Sequence, residues 1–204
     1  MNSSHIRARA DAASPLEASP TATQLWSGLA LGGVAGIVAA LLPLLDQGTW
    51  YRSLFKPVWA PAEWAFAPIQ FVIFLLAGAG LSHLWASRST DASKRVVLTW
   101  FWTQLALGVA WSFCFFVLHS SAWGYFVAML LWCAVVALLW TGSRLSRRAF
   151  YLLVPLFFWA TFSSSLSFAV LSFNALREET ARMDADPKNA NSAIDPSIIV
   201  RKRR

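Results

Sequence analysis

Five stretches of this chain, residues 25–45, 64–85, 96–118, 122–142 and 149–173, contain no Asp, Glu, Lys or Arg. Each is long enough, as a helix rising about 1.5 Å per residue, to cross a hydrocarbon core roughly 30 Å thick. A helix in a soluble protein keeps a charged face, so an uncharged run of this length has only lipid or other helices to face. The expected fold class is all-α, a polytopic membrane protein built as a five-helix transmembrane bundle. The five stretches hold every tryptophan of the twelve except Trp50 and Trp59.

The remaining sequence divides around these spans. Residues 1–24 are polar and rich in Ala, Ser, Thr and Pro, and read as a disordered N-terminal tail. Residues 25–175 form the membrane domain, and residues 176–204 form a charged, largely disordered C-terminal tail with a short frayed helix at its start. That tail finishes in a basic cluster, residues 201–204, suited to lipid headgroups. The net charge of +7 resides in loops and tails beside the spans, the placement that anionic headgroups produce, and nucleic-acid binding is not expected. Six basic residues (Arg88, Lys94, Arg95, Arg144, Arg147, Arg148) on one side outweigh Arg52 and Lys56 on the other. In a bacterial inner membrane this bias places the N-terminus in the cytoplasm. The expected localisation is therefore an integral, multi-pass protein of a bacterial cell membrane, or of an organelle membrane in a eukaryote.

Within the spans, Gly28, Gly32, Gly36 and Ala40 recur every four residues, a small-xxx-small face for close helix contact with a neighbouring helix or another protomer. Gln104, Gly108, Trp111 and Phe115 share a face of the third span, and an amide at mid-membrane depth turns that face inward. Trp159, Phe162, Ser163 and Leu166 share a face of the fifth. Tryptophans at span ends fit an interfacial belt, but Trp111 and Trp159 lie too deep for one. Cys114 and Cys133 read as small apolar residues. No carboxylate, His or Cys cluster shares a span face, so neither a catalytic set nor a metal site is expected. The serines 163–165 should bond to helix carbonyls. With no internal duplication and no acid inside a span, an active carrier is disfavoured.

The segment Trp50-Tyr51-Arg52-Ser53-Leu54-Phe55-Lys56-Pro57-Val58-Trp59-Ala60-Pro61 is too apolar for a hydrated loop. Pro57, Pro61 and Pro68 should keep a regular helix from forming across it, and it is expected to fold over the bundle mouth as a cap.

In this segment the chain resembles the tryptophan-rich sensory protein family, also known as the translocator protein or peripheral benzodiazepine receptor family. The family pattern Trp-Tyr-x-x-Leu-x-Lys-Pro-x-Trp-x-Pro matches Trp50, Tyr51, Leu54, Lys56, Pro57, Trp59 and Pro61, and continues to Trp64 and Pro68. Further blocks match Gln104-Leu105-Ala106-Leu107, Trp111, Phe115-Phe116 and Trp123, then Pro155, Trp159, Phe162, Leu166 and Asn174. The resemblance implies a five-helix bundle, commonly a homodimer with the third span as interface, and a cavity beneath the first loop. The implied ligands are porphyrins such as protoporphyrin IX, sterols and benzodiazepine-type compounds, with no resident cofactor required. The implied lining is Phe66, Ala67 and Gln70 on the second span, Trp111 on the third, Trp123 and Phe126 on the fourth, and Trp159, Ser163 and Leu166 on the fifth. The cap would comprise Trp50, Tyr51, Lys56, Pro57, Trp59 and Pro61.

The chain also departs from that family. Ala62 replaces a second proline, and the usual Gly-Pro-x-Trp is Ala67-Pro68-Ile69-Gln70. Gly108 stands for an asparagine, Leu156 for a tyrosine and Ser167 for an asparagine, while Phe168 removes the tyrosine that the family's sterol motif requires. The expected function is a membrane receptor or sensor for a tetrapyrrole, with a regulatory or scavenging role. The alternatives are a light-dependent porphyrin-degrading enzyme and a sterol or porphyrin transporter.

Overall fold

A computed structural model describes residues 18–41 and 49–185. The expectations for residues 1–17, for the end of the first span at 42–45 and for the basic cluster at 201–204 fall outside the described residues. Among the described residues the helices run in the order α1 (Ala22–Leu41), the short α2 (Thr49–Ser53), α3 (Glu63–Ala86), α4 (Asp91–Ser112), α5 (Ser121–Ser143) and α6 (Arg147–Ala185). A π-helical stretch, Phe113–Val117, extends α4. All but α2 are long and apolar enough to cross a membrane, and the protein is an integral, multi-pass all-α membrane protein.

Polar caps set where the helices begin. Thr21 and Gln24 form a reciprocal capping box, the Gln24 N–H donating to Thr21 Oγ1 (3.3 Å) and the Thr21 N–H to Gln24 Oε1 (2.9 Å). Thr90 accepts from the Ser93 N–H at 3.3 Å, with Asp91 in the first turn of α4. Ser120 accepts from the Trp123 N–H at 3.4 Å, and Ser146 from the Ala149 N–H at 3.2 Å. These caps explain why α1, α4 and α6 start two to five residues before the uncharged stretches. One expectation needs correction: Pro68 lies within the second turn of α3 and breaks no helix. Helix α6 runs past the fifth span to Ala185, through Arg177, Glu178, Glu179 and Arg182.

Around the bundle, α1 packs on α3, α3 on α6, α6 on α5 and α5 on α4, while α4 meets α1 and α3 only lightly. The glycine face of α1 is spent inside the protomer. A Cβ on Gly28 would collide with the Gly78 carbonyl and Ser82 Oγ, and one on Gly32 with the Phe74 carbonyl. One on Gly36 would come within 3.1 Å of Phe71 Cα. Ser82 Oγ, fully buried, closes the seam by donating to the Gln24 carbonyl at 2.9 Å.

Two buried clusters fill the bundle. The larger joins Ala77, Leu81 and Leu84 of α3, Val97 and Phe101 of α4, Val135 and Leu138 of α5, and Ala149 and Leu153 of α6. The smaller, at the other end, joins Phe115, Phe116, Leu166 and Val170 with Trp50, Tyr51 and Leu54 of the first loop. Trp132 Nε1 donates to Thr161 Oγ1 at 2.9 Å, and Ser164 Oγ to the Ala128 carbonyl at 3.1 Å, tying α5 to α6.

The side chain of Asn174 hydrogen-bonds the first loop to α6. Asn174 Oδ1 accepts from the Phe55 N–H (3.1 Å), and Nδ2 donates to the Phe55 carbonyl (3.0 Å) and to the Val170 carbonyl of its own helix (2.7 Å). Both amide protons and the amide oxygen are thereby used. Arg177, one turn on, places its guanidinium 4.5 Å from the centre of the Phe55 ring. Replacing Asn174 with Ala removes both links to Phe55. We expect faster trypsin cleavage at Arg52 and a loss of stability of about 1 kcal/mol by thermal unfolding. An unchanged cleavage rate would show that the loop is held elsewhere.

Candidate functional site

Between the two clusters lies an elongated cavity of about 540 Å³, within the range of roughly 300–1,000 Å³ usual for small-molecule sites. Chain direction gives its depth. The first loop, which packs on Phe115, Phe116 and Asn174, sits at the start of α3, the end of α4 and the C-terminal half of α6. The lining residues farthest from that loop on their own helices are Phe74 (α3), Gln104 (α4), Val135 (α5) and Leu156 (α6), which together make a floor.

Aromatic side chains dominate the upper walls. Trp111 stacks on Phe115 (centroids 5.6 Å apart, planes 15°) and meets Phe116 edge-on at 5.9 Å. Trp159 stacks on Phe162 (5.6 Å, 28°), with Phe66 against it at 5.8 Å. The π stretch positions the first group. Its Leu118 N–H reaches back five residues to the Phe113 carbonyl at 3.0 Å, and the extra residue per turn lets the consecutive rings of Phe115 and Phe116 both bury. Sequence periodicity reaches Phe115 but assumes an α-helical turn, so it misses Phe116 as a wall of the cavity.

The lid belongs to α2 and the loop that follows. Tyr51 lines the cavity and packs edge-on against Phe115 at 6.1 Å. Trp50 meets Phe115 at 5.3 Å and His119 at 5.0 Å, and Trp59 meets Phe162 at 5.8 Å. Lys56 Nζ lies 3.8 Å from the centre of the Tyr51 ring. Pro57 is buried and its carbonyl accepts from the Ala60 N–H at 2.9 Å, closing a turn before Pro61. His119, with φ of 50°, forms the sharp turn beneath Trp50.

Of the residues expected in the lining, Phe66, Ala67, Gln70, Trp111, Trp159, Ser163 and Leu166 border the cavity. Trp123 and Phe126 do not. They are 59% and 54% exposed and pack edge-on against each other outside the bundle. The face that α5 presents to the cavity is Ala128, Leu131 and Val135, and Trp123 lies about 140° around the helix from Ala128 at roughly 100° per residue. Gly108 also borders the cavity, and a Cβ there would meet nothing within 4 Å. It is therefore a position that faces the cavity.

The lining is neutral apart from Arg52 at the mouth, and no acidic residue borders it among the described residues. Two of its polar atoms are buried without a protein partner: Gln104 Nε2 and Trp111 Nε1. Sequence reasoning turned Gln104 inward without assigning it to the site. Its signal was available, as an amide in an otherwise apolar span.

The chain matches the TspO/MBR family over residues 28–172. It is 33% identical to the tryptophan-rich protein TspO of Chlorobaculum tepidum over 125 residues, which is 61% of this chain and 79% of that protein. The tryptophan-rich sensory protein of Cereibacter sphaeroides is 32% identical over 146 residues, 71% of this chain and 89% of that one. The translocator protein of Bos taurus is 31% identical over 154 residues, 75% and 91% of the two chains. With the five spans, the capped cavity and a match across more than half its length, the chain belongs to the TspO/MBR family.

Proposed function

We propose that this protein is a membrane receptor or sensor that binds a tetrapyrrole, protoporphyrin IX or a related haem-pathway intermediate, in the cavity beneath the first loop. The observation that carries the proposal is the enclosure of a neutral, aromatic-walled space by a loop that is itself pinned by Asn174. A flat, apolar macrocycle suits stacking against indole and phenyl rings, and acidic substituents at its edge would find Arg52 at the mouth. Protoporphyrin IX should quench the intrinsic fluorescence of the detergent-purified protein saturably. Trp159→Ala should weaken binding by about 1–3 kcal/mol through lost aromatic burial. Unchanged affinity in that variant would move the site elsewhere.

The light-dependent enzyme is the less favoured reading because Gln70 borders the cavity where the resemblance implies a tryptophan. Glutamine offers no easily oxidised ring beside a photoexcited porphyrin. Under illumination the porphyrin absorption bands of the complex should fade no faster than those of free porphyrin, and Gln70→Trp should accelerate the loss. Rapid bleaching by the unmodified protein would favour the enzyme instead.

The proposal includes a homodimer through the outward face of α4. There Trp102, Val109 and Phe113 are each about half exposed, and the small Ala106 lies between them. In mild detergent we expect light scattering to give the mass of two chains for the unmodified protein and of one for Ala106→Leu. A dimer that survives the change would exclude this face.

A further inference from the structure

The floor of the cavity combines two features that pull in opposite directions. Phe74, Val135 and Leu156 make it apolar, yet Gln104 stands among them only 1% exposed, with Nε2 buried and without an acceptor in the protein. An amide N–H held away from both water and partner is unfavourable, and native proteins seldom tolerate one unless something else completes it. Two buried hydroxyls of the spans are served by neighbouring helices, Ser82 by the Gln24 carbonyl and Ser164 by the Ala128 carbonyl, whereas the unmet donor of Gln104 belongs to a residue that borders the cavity.

From this placement we propose that Gln104 recognises a neutral oxygen on the inner edge of the ligand, so that the preferred tetrapyrrole carries a carbonyl group at the edge opposite its acidic side chains. The inference rests on the tetrapyrrole reading and refines it. A carboxylate is the wrong partner at the floor, because no cation among the described residues borders that end and a buried, unpaired charge is strongly unfavourable. The one charged lining residue, Arg52, lies at the mouth, which orients the acidic edge outward and the opposite edge toward Gln104. Trp111 Nε1, one heptad nearer the cap and about 10.5 Å away along the helix axis at 1.5 Å per residue, is a second donor of the same kind. A macrocycle with a purely hydrocarbon inner edge would leave Gln104 unsatisfied.

The test compares protoporphyrin IX with the porphyrin in which both vinyl groups are replaced by formyl groups. The two substituents have nearly the same shape, and the acidic side chains are identical. Titrated into the full-length protein in detergent, the formyl compound should bind roughly ten-fold more tightly, the worth of satisfying one buried neutral donor. Gln104→Leu should erase that preference. Should the variant not fold, the formyl C=O stretch of the complex with the unmodified protein, read by resonance Raman, should fall below its value in an apolar solvent. Saturable binding of both compounds with no preference, a preference that persists in Gln104→Leu, or an unshifted stretch would overturn the inference and leave the tetrapyrrole reading standing. Saturable binding of neither compound would overturn both.

Discussion

Every polar group inside a span must find a partner without help from water, and the bundle follows from how this is met. Backbone groups are satisfied within helices. Hydroxyls turn back on their own helix, as Ser27 does on the Thr23 carbonyl, Thr141 on Ala137 and Ser165 on Thr161, or across to a neighbour, as Ser164 does on Ala128. The amide of Asn174, at the margin, is used completely in holding the first loop. Among the lining residues, Gln104 and Trp111 each keep a buried donor without a protein partner, and both residues border the same space.

That space exists because the helices are drawn together unevenly. On one side, α1 and α3 meet backbone to backbone through Gly28, Gly32 and Gly78. On the other, α4 touches α1 and α3 only lightly, and Gly108 leaves room that an ordinary side chain would occupy. Five of the positions where the chain departs from the family pattern given above, Ala67, Gln70, Gly108, Leu156 and Ser167, border the cavity.

Much of this was legible in the sequence, for definite reasons. Hydrocarbon excludes charge so strongly that five uncharged stretches fix the all-α, five-span architecture without further detail. The inward direction of Gln104 and Trp111 followed from their shared helical face. What was not legible depends on departures from regular geometry. The π stretch buries Phe116 beside Phe115, which no regular period foretells. Trp123 matches a family motif yet sits at the start of α5, on the side turned away from the cavity. Pro68 reads as a helix breaker, but a proline within a membrane helix is tolerated where neighbours meet the freed backbone groups.

The order of the helices along the chain has a consequence for how the cavity is made. The glycine seam joins α1 to α3, consecutive spans that can pair as soon as the second has entered the bilayer. The cavity has no such early route. Trp159, Leu156 and Ser163 in its walls, and Asn174 that fastens its lid, all belong to α6, which follows the other described helices in the chain. Until α6 is in place the lid can pack on Phe115 and Phe116 but has no Asn174 to hold it, and the cavity lacks one of its walls.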